Sequence, residues 1–279
     1  MKRFVLFSAL LLATPAFAAD TPVDPVVREY IANTAATDWL LDGGWGYVDG
    51  VLTHYAGAKG TAQPIAPPTF EAGKTYRLRY RFSGRTQGTV TVGLGSNTVT
   101  YSSNQAFSVR AVAASVADTF TITTSADFDG SITGISVVQL GDDQSASAAW
   151  NTADGWTVSG GELAHAAGTT ASIDAPLALQ VGHTYELSFN VAAPVEGATL
   201  SGNGTVTLAG QNIGWFSQTA GWNFNFDFKA GADNTLAFTP SEAADKGEGF
   251  NGIIRHLNIR EITSDAPAPP APATTGAQQ

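Results

Sequence analysis

Trp39-Leu-Leu-Asp-Gly-Gly-Trp45-Gly-Tyr-Val-Asp-Gly50-Val-Leu52-Thr-His54-Tyr-Ala-Gly57 returns roughly 110 residues later as Trp150-Asn-Thr-Ala-Asp-Gly-Trp156-Thr-Val-Ser-Gly-Gly161-Glu-Leu163-Ala-His165-Ala-Ala-Gly168. Two Trp, a Leu, a His and the closing Gly keep their spacing without a gap. Two more matches follow in the same order. Gly73-Lys-Thr75-Tyr76-Arg-Leu78-Arg-Tyr80 answers to Gly182-His-Thr184-Tyr185-Glu-Leu187-Ser-Phe189. Phe128-Asp-Gly130-Ser-Ile132-Thr-Gly-Ile135-Ser-Val137 answers to Phe250-Asn-Gly252-Ile-Ile254-Arg-His-Leu257-Asn-Ile259. Collinear matches over such a period describe a duplicated domain, because the repeat is the size of a folding unit and exceeds any small solenoid repeat.

The repeats span residues 36–142 and 148–263, and inside each the apolar period is two. Tyr76, Leu78, Tyr80 and Phe82 alternate with Arg77, Arg79 and Arg81; Tyr185, Leu187, Phe189 and Val191 alternate with Glu186, Ser188 and Asn190. Trp222, Phe224, Phe226 and Phe228 alternate with Asn223, Asn225 and Asp227. Such alternation marks strands with one face on a core. Short strands broken up by 30 Gly and 13 Pro predict an all-β protein of two tandem antiparallel β-sandwich, or jelly-roll, domains.

Around the repeats the chain is punctuated. Lys2 and Arg3, the apolar run Phe4–Ala13 and Ala16-Phe17-Ala18 predict a signal peptide over residues 1–19 and hence a secreted protein, extracellular, on the cell surface or periplasmic. That run is short of the roughly 20 residues a membrane span needs, so no span is expected. In the extension 20–35, Asp24-Pro25 followed by apolar Val26, Val27, Tyr30 and Ile31 predicts a short helix. Residues 143–147 read as a polar linker, and 264–279, rich in Pro and Ala, as a disordered tail. With no Cys, the cores alone must stabilise the fold.

Charge is sparse and acidic, with a formal net of −10, which removes any general attraction to nucleic acid or anionic lipid. The first repeat carries seven Lys and Arg against eight Asp and Glu, the second four against eleven. The repeats therefore present different surfaces.

The Gly-Lys-Thr-Tyr-Arg-Leu-x-Tyr opening and the Phe-Asp-Gly-Ser-Ile closing segment resemble carbohydrate-binding-module-type jelly-roll domains. Within that group, Trp45–Gly57, Ser83–Val92 and Phe128–Val137 resemble modules of phage tail and other virion proteins and of bacterial surface proteins. The resemblance implies a fold, with the shared residues as scaffold, and it implies ligand binding, spacing or assembly as roles. It also admits a structural calcium ion, with Asp127 and Asp129 as ligands and Glu248 and Asn251 as loose counterparts. No other cofactor is expected.

Catalysis finds no motif: there is no Cys nucleophile, no G-x-S-x-G elbow, no H-E-x-x-H and no phosphate loop. A non-enzyme is expected. His54 and His165 recur at equivalent positions and read as structural. So do Trp45, Trp156, Tyr76, Tyr185, Phe128 and Phe250. Sugar recognition stacks a flat ring on the pyranose and satisfies hydroxyls with amides, carboxylates or Arg. Candidates that break the equivalence of the repeats are Trp215 and Gln218, beside Asn223 and Asn225. Tyr47, Tyr55 and Tyr101 are likewise private to the first repeat. The Arg77, Arg79 and Arg81 row places like charges on one strand face and needs relief. Cross-strand acids, an acidic polysaccharide, or the acidic second repeat of a neighbouring molecule would each supply it, the first being the ordinary solution. The expected partner is a polysaccharide or cell-surface glycan, with self-association as a second mode. The reading is a secreted, non-catalytic carbohydrate-binding or attachment protein; the alternative is a structural assembly subunit.

Overall fold

Alternating apolar residues become strands because each strand can bury one face and leave the other wet. The computed structural model describes residues 29–32, 38–217, 223–241 and 249–262. Over these residues the protein is built from antiparallel strands.

The first repeat runs β2 (Trp39–Leu41), β3 (Trp45–Val48), β4 (Val51–His54), β5 (Thr61–Pro64), β6 (Thr75–Gln87), β7 (Val90–Leu94), β8 (Asn97–Tyr101), β9 (Ala106–Val112), β10 (Phe120–Thr124) and β11 (Asp129–Asp143). The second runs β12 (Trp156–Ser159), β13 (Glu162–His165), β14 (Ile173–Pro176), β15 (Thr184–Ala192), β16 (Asn203–Leu208), β17 (Gln211–Ser217), β18 (Asn223–Lys229), β19 (Thr235–Pro240) and β20 (Gly252–Ile262). In the first repeat β3-β4-β11-β6-β9 face β2-β5-β10-β7-β8; in the second β12-β13-β20-β15-β18 face β14-β19-β16-β17. The same strand order is thus built twice, except that the place of β2 is taken in the second repeat by an isolated bridge between Asn151 and Asp174.

Each repeat has its own hydrophobic core. Tyr76, Leu78, Phe82, Phe120, Phe128 and Ile132 lie in one; Tyr185, Leu187, Phe189, Phe238, Phe250 and Ile254 in the other. The two recurrent histidines anchor equivalent corners. Nδ1 of His54 is 2.8 Å from the Phe128 carbonyl, and Nδ1 of His165 is 2.5 Å from the Phe250 carbonyl. Trp45 and Trp156 are buried against them, with ring centroids 5.1 and 4.6 Å from the respective imidazoles. These residues are scaffold in both copies, as expected.

One expectation outside the cores changes. Tyr30 and Ile31 belong to a strand, β1 (Glu29–Ala32), and not to a helix; β1 lies antiparallel on β11, with Ile31 opposite Val137. Burial of Ile31 in the first core outweighs the helical spacing. Residues 24–28 lie outside the described residues, as do the signal peptide and the tail.

The polar segment 143–147 is hydrogen-bonded along β20. Asp143 Oδ1 accepts hydrogen bonds from the Ser145 and Ile259 amides, the Gln144 amide donates to the Ile259 carbonyl, and Ser145 Oγ donates to the Leu257 carbonyl. Ser145–Ser147 form a 3-10 turn. This segment edges β20 where β1 edges β11, so each repeat carries a leader paired with its own last strand.

Candidate ligand groove between the repeats

β6 and β15 are central strands whose inner faces are fixed by the cores, so their outer faces carry Arg77, Arg79 and Arg81 in one repeat and Glu186, Ser188 and Asn190 in the other. The registers correspond throughout: Leu78 is opposite Val137 as Leu187 is opposite Ile259, and Tyr76 is opposite Ala111 as Tyr185 is opposite Phe228. Arg77 is therefore the counterpart of Glu186, and Arg110 of Asp227.

These counterparts meet. Arg77 Nη1 lies 3.1 Å from Glu186 Oε2 and 2.7 Å from Asp227 Oδ1. Arg110 reaches Glu186 Oε1 through Nε at 2.9 Å and Nη2 at 2.7 Å. Arg79 grips both Asp227 oxygens at 2.8 and 2.9 Å. The contacts are reciprocal, Arg77 to Asp227 and Arg110 to Glu186, which is the pattern of a two-fold interface with one side inverted in charge. At one end of the dock β11 and β20 pair, with Leu140 opposite its own counterpart Ile262. Val138, Leu140 and Ile262 form a small buried cluster there.

The expected cross-strand relief of the arginines is corrected by this arrangement. The β9 residue opposite Arg77 is Arg110, itself a cation, and the β11 residue is Val138. The acids come from the second repeat of the same chain. Arg77 is 5% exposed, so it belongs to the dock and offers no open surface to a ligand.

Past the ion pairs the faces leave a groove. One part, of about 870 Å³, is lined by Arg79, Arg81, Tyr101, Gln105, Phe107, Asn223 and Asn225 among others. An adjoining part, of about 330 Å³, is amide-rich, with Asn190, Asn223, Asn225, Asn258, Ser188 and His256. His256 has φ 53°, in the left-handed region, where its first-repeat counterpart is Gly134 at φ 61°. That backbone suits Gly and is uncommon for His. Its Nδ1 is 3.2 Å from Asn190 Oδ1. Tyr101 and Phe107 pack with centroids 3.9 Å apart and ring planes tilted by 45°, and Tyr80 donates a hydrogen bond of 2.7 Å to the Tyr101 hydroxyl. Burial, followed by the bond to Tyr101, pushes the Tyr80 hydroxyl pKa far up. It is a neutral donor at any working pH.

Four of the seven sequence candidates, Arg79, Arg81, Asn223 and Asn225, therefore share one groove. Arg77 is spent in the dock. Trp215 lies elsewhere, 63% exposed on the edge strand β17. Gln218 and Trp222 lie outside the described residues. Of the private tyrosines, Tyr101 is buried, Tyr47 half-buried and Tyr55 exposed. Sequence reasoning missed Gln105, Phe107, Asn190, Asn258 and His256. Asp129 accepts a hydrogen bond from Thr86, and no cluster of three or more His, Asp or Glu suited to a metal occurs among the described residues; Glu248 lies outside them.

The fold and groove define an all-β, two-repeat protein whose halves dock face to face. No protein-family model matches the chain, and no curated protein matches it in sequence. Among solved structures it is similar to the ANX2 ectodomain of Arabidopsis thaliana, at 11% identity over 82% of this chain and 89% of that one, with a TM-score of 0.33. It is similar also to the CBM22-1–CBM22-2 tandem domain of Paenibacillus barcinonensis Xyn10C, at 11% identity over 88% and 100% of the chains, with a TM-score of 0.25. No helix among the described residues is long and apolar enough to cross a membrane.

Proposed function

We propose that this is a secreted, non-catalytic carbohydrate-binding protein of two jelly-roll domains, 36–142 and 148–263, whose ligand lies in the groove between them. The observation that carries the reading is the lining: half-buried Phe107 and the Tyr101 ring beside Asn223, Asn225, Gln105 and two guanidinium groups. Sugars are held by apolar ring contact together with convergent amide and guanidinium donors, and binding clefts concentrate such groups between domains. A leader with signal-peptide character supports an extracellular or periplasmic setting. A glycan array probed with the mature protein tests the reading; Asn223→Ala combined with Asn225→Ala should abolish the signal while the protein still melts cooperatively, and an array with no positive glycan would refute it.

Assembly is the second reading, and Trp215 favours it. β17 is an uncharged edge strand, Gln-Asn-Ile-Gly-Trp-Phe-Ser, with that large ring exposed, and an unprotected edge invites pairing with another chain. Concentration-dependent self-association lost in Trp215→Lys would support it.

A further inference from the structure

Charge compensation in the dock stops before the groove opens. Arg77, Arg79 and Arg110 are matched to Glu186 and Asp227. The next arginine along β6, Arg81, is exposed, and its cross-strand neighbours are Ala106 and Thr133. Across the groove, the second repeat presents Asn225 and Asn223 on the strand that had carried Asp227. No carboxylate among the described residues lies within ion-pair distance of Arg81. Three dock arginines against two carboxylates leave a further positive charge beside it. A chain with a net charge of −10 thus keeps a guanidinium with no carboxylate partner among the described residues in this groove, facing the amides of Asn223 and Asn225.

We infer that the groove selects acidic glycans, with Arg81 holding a uronate carboxylate or a sulfate ester while neighbouring units lie along Phe107 and the amides. This rests on the carbohydrate-binding reading above and names the ligand class within it. A guanidinium fork matches both anions bidentately, so both share the required chemistry. Asn223, Asn225, Asn190 and Asn258 provide donors and acceptors for hydroxyls, and His256, held in its left-handed backbone, extends that rim.

The test uses the mature chain and two matched probe pairs: polygalacturonate with its carboxyl-reduced form, and dextran sulfate with dextran. Retention of either acidic probe at least about tenfold more tightly than its neutral partner is expected, that being the scale of one charge-assisted hydrogen bond. The uronate and sulfate arms tell which anion is preferred. Arg81→Gln should remove the difference, with its melting temperature unchanged because the side chain is exposed and forms no ion pair among the described residues. Arg85→Gln, a cation outside the groove lining, should keep it. Equal binding of acidic and neutral probes, lost when Asn223 and Asn225 are both replaced by Ala, would overturn the acidic preference and leave the carbohydrate reading standing. Equal losses in Arg81→Gln and Arg85→Gln would also overturn it, by showing diffuse attraction. Retention of no polysaccharide, here or on the array, would remove both.

Discussion

Arg77 and Glu186 occupy the same position in the two repeats and form an ion pair with each other. A duplication that kept one residue at both positions would set like charges face to face in a dry seam. Opposite signs at the two positions let the same surface patch dock on its own copy. The unequal charge of the repeats, seven cations against eight acids and four against eleven, has part of its explanation here.

Glu186 is fully buried and accepts from two arginines, whereas the Asp227 side chain is 31% exposed. Glu186→Gln should cost about 3–5 kcal/mol, because it removes the buried negative charge between Arg77 and Arg110 and leaves Asp227 alone against three arginines. Asp227→Asn should cost less, since water reaches that site. Urea unfolding of both variants checks the order; equal or negligible losses would mean that the dock contributes nothing to stability.

The second repeat should fold alone, since its core draws on no residue of the first. A 148–263 fragment is expected to unfold cooperatively, and 141–263 to be the more stable of the two. The longer fragment keeps Asp143, Gln144 and Ser145 bonded along β20. A 148–263 fragment that aggregates or melts without a transition would show that the repeats are not separate domains.

Trp45 and Trp156 are alike in burial but not in bonding. Trp156 Nε1 donates to the Ala171 carbonyl at 2.7 Å; Trp45 Nε1 has no partner among the described residues. Replacement by Ala should cost about 3–5 kcal/mol at either site. Replacement by Phe should cost about 1 kcal/mol more at Trp156, which loses a hydrogen bond as well as volume. Thermal melts decide it, and a Trp45→Phe variant as damaged as Trp156→Phe would contradict the assignment.

Burial lowers the His165 pKa below its usual 6.5, against the opposing effect of the Phe250 carbonyl. In the window between that lowered value and 6.5 the unfolded chain binds the proton that the folded chain refuses, so stability rises with pH there. The contribution is complete above 6.5 and is lost as the pH falls below it. Melting temperatures measured across that window should fall toward acid, and a His165→Gln variant should show a flatter profile. A wild-type profile that stays level would remove His165 as the cause.

The strands and both cores were legible in the sequence because period-two alternation and recurring Trp, His and Phe are local or repeated signals. The leader strand was not. Tyr30 and Ile31 carry helical spacing, and only their pairing with β11 makes them a strand. The groove was half legible. Arg79, Arg81, Asn223 and Asn225 stood out as polar residues on strand faces, yet nothing local placed the two strands opposite each other. Phe107 and His256 carried no signal at all, and Phe107 packs against the first core as well as lining the groove.

By itself the sequence determined the duplication, the all-β character and which face of each strand is buried, because these follow from residue spacing along one chain. Only the tertiary structure decided what the outer faces do. Whether Arg77 meets water, a ligand or Glu186 depends on docking two surfaces that lie 109 residues apart, which β11 and β20 fix at Leu140 and Ile262. The same docking left Arg81 without an acid among the described residues, since compensation ends where the two faces part.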